Sequence, residues 1–496
     1  MKQFFIGALV VLGILSLVAQ MLVPAPPEPG KTQLVWTTDP NPQRDPQLEW
    51  FNKRYADCNL RIDPDNSDSM KVIVQSCAGM GPDIIGHVGW WSIQNYHEAG
   101  ILMDVTDHAE AMGFGLDTLA ESVRPLTTLK VLNDAGQIED RMFAYPCNVF
   151  HTYLIYNKNL FDARGIDYPP EDLTWQQYMD LAKQLTVKDE VRGLPIIFGA
   201  AGVKVDALIF QHGAEFLNEE GTRCTMDSEA FLDALVFYHK LFYGLEAEPT
   251  PLQKAGVSSQ GGWGGGYNNW FGEGKIGMYW GARWMLISFR RFITEQRKER
   301  DIWLQENPGA DPNDAPEVLR MGACQIPRFA DGPRYTPTGA RCAGINVASP
   351  NREQALNFLQ YLASEKYSEM INVGADSKPG NIAYNKLEQF INPEWPGEEE
   401  VHEASLRAIP FGRARRRSML INISAVNTEF SQIKSRLEAT PDMTREMIVA
   451  ELKRGADRVN LAIARNIKRN PKIRTMYEAL LKTGAEPIVY DLEEVR

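Results

Sequence analysis

The sequence predicts an α/β fold, and three observations carry that prediction. Short apolar strand patterns alternate with helical patterns of period 3.6 from residue 33 onward. The alternation recurs at distances that suit βαβ units, which build a mostly parallel sheet covered on both faces. The composition, 44% hydrophobic with 10% aromatic residues, belongs to a chain that buries cores. With 496 residues there is room for two to four domains, and two large lobes fit that length.

The first element is an apolar span at residues 4–23, preceded by Lys2 and interrupted only by Ser16 and Gln20. A spanning helix needs about 20 such residues, and a signal-peptide core is usually about 7–15. The span therefore reads as an uncleaved anchor, with a long signal peptide as the alternative. Pro24, Pro26, Pro27 and Pro29 form a stiff spacer that ends at Gly30. Either reading exports the body to the cell envelope, tethered or released.

A strand follows at 33–36, then a polar, Pro-rich stretch to Pro46 and a helix over 47–55. The next elements are a strand at 60–63, a helix over 70–78 ended by Gly79, a strand at 82–85 and a helix over 91–99. Further on, 153–156 is a strand run. Thr174 opens a helix on which Tyr178, Leu181, Ala182 and Leu185 share a face, and 231–241 repeats that pattern. The glycine-rich 261–266 around Trp263 lacks the Gly-Lys-Ser/Thr ending of a phosphate loop. Residues 307–316, rich in Pro, Asp and Gly, form a surface loop. The chain is helical after Pro410, with a basic amphipathic run over 443–481.

A net charge of −12 argues against non-specific nucleic-acid binding, which needs a basic surface. The six cysteines lie outside CxxC pairs and outside any Cys/His cluster with zinc spacing, so no metal or cofactor is expected. Cys58 with Cys77, or Cys324 with Cys342 on neighbouring strand-like segments, could pair in an oxidising compartment. Scattered buried thiols are the alternative.

Several motifs in order resemble the extracellular solute-binding proteins of bacterial ABC importers, the group that includes maltose-binding protein. They are Gly81-Pro82-Asp83-Ile84-Ile85, Tyr145-Pro146 with Leu154-Ile155-Tyr156-Asn157-Lys158, and Leu173-Thr174-Trp175 with Gln176-Gln177 where an acidic residue is usual. Phe271-Gly272-Glu273-Gly274-Lys275-Ile276-Gly277-Met278 and Ala343-Gly344-Ile345-Asn346-Val347-Ala348 complete the set. The resemblance covers most of residues 33–450. It implies two α/β lobes joined by three hinge crossings, near Tyr145-Pro146, Ile326-Pro327 and Ser349-Pro350. The lobes would be 31–146 with 328–350, and 147–326 with 351–496, the latter carrying a helical extension without a family counterpart. The implied protein is a monomer that captures a carbohydrate between its lobes, delivers it to permease subunits and does no chemistry on it.

A sugar site needs flat apolar faces for C–H surfaces and planar polar groups for hydroxyls. Such residues follow the strand patterns: Trp36 and Asp39 after the first, His87 and Trp90 after 82–85, Asn148 and Phe150 beyond Tyr145-Pro146. Trp280, Arg283 and Trp284 end the Gly-Lys segment, with Trp284 at the family's sugar platform. Arg341 lies on the approach to the last crossing, and Arg413 opens a run with Arg415, Arg416 and Arg417. Phe150 replaces a carboxylate common in the family. The excess of arginine over carboxylate at these positions predicts an anionic oligosaccharide as ligand. A solvated face is the bland reading of the arginine run. The competing functions are an envelope glycoside hydrolase, which needs two carboxylates about 5–10 Å apart, and a membrane-anchored sensor or adaptor.

Overall fold

The computed structural model of the chain describes residues 30–39, 41–64, 68–86, 88–89, 92–191, 193–258, 266–493 and 495. The apolar span at 4–23, the Pro-rich spacer, His87, Trp90, Trp91 and most of the glycine-rich loop lie outside the described residues. No helix among the described residues is long and apolar enough to cross a membrane.

The strands in chain order are β1 (Thr32–Thr37), β2 (Cys58–Asp63), β3 (Ile84–Ile85), β4 (Thr128–Leu132), β5 (Ile138–Met142), β6 (Tyr145–His151) and β7 (Tyr153–Asn157). Then come β8 (Val187–Lys188), β9 (Pro195–Ala201), β10 (Ile276–Gly281), β11 (Met321–Cys324), β12 (Thr336–Ile345) and β13 (Gly412–Arg413). One sheet has the order β13-β12-β3-β1-β2, with β6 also paired to β12; the other runs β11-β7-β10-β9-β8. Strands β4 and β5 form a separate hairpin. Each sheet has its own core, as the two-lobed expectation requires. Trp36, Phe51, Ile84 and Tyr145 pack in the first, and Trp175, Tyr178, Leu208 and Trp280 in the second.

The sheets are mixed rather than mostly parallel. β1 runs parallel to β2 and β3, and β10 to β9, as βαβ units demand. The strands on either side of the passages between lobes, β6, β7, β11 and β12, make antiparallel pairs, while the short β13 runs parallel to β12. A strand that leaves one sheet to enter another cannot arrive by a helical crossover, so it is exempt from the parallel rule.

The first and third crossings fall further along the chain than the prolines suggested, and the second interval contains Ile326-Pro327. The first is at Thr152, between β6 and β7, and the second lies between β11 and β12. The third is displaced most. The helices Arg352–Leu362 (α1) and Glu365–Val373 (α2) place Phe358, Tyr361, Tyr367 and Ile371 in the first core, whereas Ala375 packs in a second-lobe cluster with Phe271 and Phe289. The passage is therefore 374–378, and 351–373 belongs by packing to the first lobe. An amphipathic face shows that a helix covers a core but not which core it covers.

Two further expectations change. All six cysteines are free, and Cys324 and Cys342 stand on different sheets. Gln177, where an acid is usual, completes a capping box with Thr174 and loses nothing as a cap. The C-terminal extension folds as the helices Arg445–Arg469 (α3) and Pro471–Lys482 (α4), and Ile467, Tyr477 and Leu480 pack in the second core.

Candidate functional site

The carboxyl end of β1 and the paired strands β6 and β12 form one floor. Register sets Arg341 opposite Asn148 and Gly339 opposite Phe150. The Phe150 ring rests on Gly339, where a Cβ would lie 2.1 Å from the ring. Asp39 follows β1 and is about one-fifth exposed. Its Oδ1 accepts from Thr38 Oγ1 at 3.1 Å, from Arg44 Nε and Nη2 at 3.3 and 3.2 Å, and from Arg341 Nη1. Among the described residues Oδ2 accepts no hydrogen bond.

Behind Asp39 lies a second carboxylate. Asp376 Oδ2 takes Arg44 Nη1 at 2.7 Å and lies 3.8 Å from Arg341 Nη2. Its Oδ1 takes Asn148 Nδ2 at 2.9 Å and Asn41 Nδ2 at 3.4 Å. Burial pushes the Asp376 carboxyl up, but Arg44, Arg341 and the bonds from Arg44 and Asn148 together hold it below its usual value. Trp36 lies under both guanidinium groups, 5.9 Å from Arg44 and 5.8 Å from Arg341, and against Phe358. It is fully buried, so its part is to support the floor and not to touch a ligand.

The structure thus joins Trp36, Asp39, Asn148, Phe150 and Arg341. Arg44 and Asp376 belong to the same group and escaped the sequence reading. Arg44 sat in a Pro-rich polar stretch, and Asp376 followed a helix that the lobe assignment placed elsewhere.

In the second lobe, β10 sorts its three candidates by burial. Trp280 has no exposed surface. It stacks on Trp175 at 5.7 Å and donates to the Tyr178 hydroxyl at 3.1 Å, which makes it a core residue and corrects its assignment to the site. Arg283 is also buried, and its guanidinium donates to the carbonyls of Asn372 at 2.5 Å and Ser377 at 2.7 Å and to His402 Nδ1 at 3.1 Å. Burial lowers it to about 9, which leaves it a cation at neutral pH. Arg283 therefore clamps the third crossing instead of facing a ligand. Trp284 alone of the three is half-buried, packed on the cluster of Phe271, Met285 and Phe289.

The arginine run is neither a solvated face nor a free cationic wall. Arg413 pairs with Glu215 and lies over Tyr335 at 4.8 Å. Arg415 forks onto Asp206 and reaches Asn427 at 2.6 Å. Arg416 is 3.9 Å from Glu215, and Arg417 donates to the first-lobe carbonyls of Pro125 and Thr128 at 2.5 and 2.9 Å. Two carboxylates, Glu215 and Asp206, answer part of the charge of this run, with Glu215 shared by Arg413 and Arg416. A long-range ion pair leaves no sign in linear sequence.

Arg415, Arg416 and Arg417 also line a groove of about 870 Å³ between the lobes, with Arg124 and Leu129 on one side and Lys472 and Met476 on the other. Asp39, Phe150 and Trp284 do not line it.

The fold has relatives among known proteins. A relative described as a putative binding protein of Brucella abortus (strain 2308) is 24% identical over 262 residues, which is 51% of this chain and 54% of that protein. The chain thus matches about half the length of that curated relative. The diacetylchitobiose binding protein DasA of Streptomyces coelicolor is 22% identical over 363 residues, 72% of this chain and 74% of that one. Among solved structures, the ABC substrate-binding protein Lmo0181 of Listeria monocytogenes, in complex with cycloalternan, superposes with a TM-score of 0.64 at 19% identity. That match covers 87% of this chain and 98% of the other. The maltose-bound T. maritima MalE3 gives 0.60 at 17% identity, covering 86% and 99%. The family described as bacterial extracellular solute-binding protein matches residues 33–369, more than half of the chain, and the chain belongs to that family.

Proposed function

We propose that the protein captures a neutral saccharide between its lobes and presents it to the membrane subunits of an ABC importer. The observation that carries this reading is Asp39, whose Oδ1 is held by two guanidinium groups while Oδ2 accepts no hydrogen bond among the described residues. A fixed acceptor of this kind orients sugar hydroxyls. Phe150 and Trp284 supply apolar faces for the ring C–H surfaces. The ligands named for the relatives, diacetylchitobiose and maltose, fit a neutral class.

Because a ligand held by both lobes contacts both only when they are closed, it favours closure by its differential affinity for that state. The permease then reads the closed pair of surfaces. The apolar span at 4–23 would keep the body at the outer face of the inner membrane. A thermal-shift screen followed by calorimetry tests the ligand class. A neutral oligosaccharide should raise the melting temperature. Tight binding of a uronate or sulfated sugar with none of a neutral one would overturn the reading.

The hydrolase reading finds little support in the same site. Asp376, the carboxylate that shares Arg44 with Asp39, is buried with both oxygens occupied. Asp376 therefore does not supply the second carboxylate that a hydrolase sets across the scissile bond. An assay for released reducing ends should show no turnover.

A further inference from the structure

We propose that Asp376 is a specificity-determining residue that acts through Asp39 and selects neutral over anionic saccharides. This rests on the carbohydrate reading above and goes beyond it by naming what sets the charge of the floor.

Arg44 and Arg341 bring two fixed positive charges to the end of β1. Asp39 answers one and Asp376 the other, at 2.7 Å from Arg44 and 3.8 Å from Arg341. The four groups sum to zero. Asp376 touches no surface that a ligand could reach, since its side chain is only 4% exposed. Its effect is electrostatic and local. With Asp376 charged, each guanidinium has its own carboxylate, and Asp39 Oδ2 remains an acceptor for uncharged hydroxyls. Without that charge, two guanidiniums share one carboxylate, and the floor carries a surplus positive charge in a poorly solvated place, where charge counts most. Such a floor attracts a carboxylate or sulfate and weakens Asp39 as an acceptor. Asn148 and Asn41 hold Asp376 in register with β6 and the loop after β1, so the compensating charge is fixed in position.

The other buried cations of the crossing, Arg283 and Lys378, donate to groups outside this set of four. Arg283 donates to the backbone carbonyls of 372 and 377, and beyond 412 Arg413 and Arg415 pair with Glu215 and Asp206.

The test uses the full chain and three probes: maltotriose and diacetylchitobiose as neutral ligands, and trigalacturonate as the anionic one. Calorimetry gives the ratio of anionic to neutral affinity for the wild type, for Asp376→Asn and for the double change Asp376→Asn with Arg341→Gln. Asp376→Asn should raise that ratio at least tenfold, and the double variant, neutral again, should bring it back towards the wild type. Arg341→Gln alone leaves a surplus negative charge and should move the ratio the opposite way. It also supplies the readout if Asp376→Asn does not fold, with circular dichroism and the melting temperature as the check. Equal weakening of all three probes by Asp376→Asn would mean a merely structural role and overturn the proposal. So would an unchanged ratio in Arg341→Gln. A wild type that binds none of the neutral or anionic saccharides removes the carbohydrate reading itself, a different outcome from a binder whose selectivity ignores Asp376.

Discussion

Arg283 donates from Nη1 to the carbonyl of Ser377 at 2.7 Å, so a cation from the second sheet holds the backbone of the crossing that leaves the first lobe. That crossing is strained. Ala375 and Ser377 have φ of 55° and 66°, in the left-handed region that residues with a Cβ avoid. Its grips come from both lobes. Arg44 and Asn148 hold Asp376, Arg290 donates to the carbonyl of Val373, and Lys378 bonds Ser405. The ion pair between Arg290 and Glu398, both largely buried, fixes the second-lobe side.

Arg283→Met should therefore destabilise the fold by about 3 kcal/mol, since it leaves buried carbonyls without donors and removes the offset to the strain. Urea denaturation checks the value. A loss below about 1 kcal/mol would mean that the crossing holds its shape without the clamp.

Trp280 and Trp284, four residues apart, should fail differently. Trp280→Ala opens a cavity in the second core and should cost roughly 3–5 kcal/mol of stability. Trp284→Ala should cost less stability and weaken saccharide binding by roughly 2 kcal/mol, as a central aromatic contact does. Calorimetry and denaturation on both variants separate the two roles. Unchanged affinity in Trp284→Ala would take it out of the site.

That contrast shows what the sequence could and could not reveal. Strand positions were legible because strands are local: 33–36, 60–63 and 153–156 lie within β1, β2 and β7. The end of β1 and the β6 segment were singled out because ligands gather at the carboxyl ends of strands, and the structure sets Asp39, Asn148 and Arg341 side by side there. The orientation of Trp280 was not legible, because a strand whose six residues are all buried has no polar face to mark its direction. Pairings such as Arg44 with Asp376 join residues 332 positions apart, and no periodicity reports them. The third crossing was misplaced for a related reason: Pro350 marks a turn, but the turn leads into two more helices of the same lobe.

The pH dependence has two windows. Burial, then Arg283 and Arg290, lowers His402 to about 2 from 6.5. Between those values the unfolded chain binds a proton that the folded chain refuses, so stability falls as pH drops below about 6.5. Burial, then Arg283, likewise lowers Lys378 to about 7 from 10.5. The neighbouring His151 is itself held neutral by burial and by Lys378. Here the unfolded chain holds the extra proton between about 7 and 10.5, so stability from this group rises as pH climbs through that window. The slope is at most about 1.4 kcal/mol per pH unit. Lys378→Met removes the second window. The stability of the wild type relative to that variant should increase from pH 7 to pH 9, and a flat difference would mean that Lys378 stays charged when folded.

The last helices pack into the second core. In α4, Tyr477 and Leu480 are buried in the second core, and Lys468 of α3 donates to the carbonyl of Val495 at 2.8 Å, which ties down the tail beyond α4. Fully burying such side chains contributes about 1.5–3 kcal/mol each. Deleting residues 471–496 should therefore lower the stability by roughly 3 kcal/mol or more. Asp39, Phe150 and Trp284 do not lie in the deleted segment, so saccharide affinity at a temperature where the shortened chain is folded should stay within about threefold of the full chain, a difference of less than about 1 kcal/mol. The pair of measurements distinguishes a buttress from a lid. If affinity falls far more than stability does, α4 takes part in closure, and the groove it lines with Lys472 and Met476 moves with the lobes.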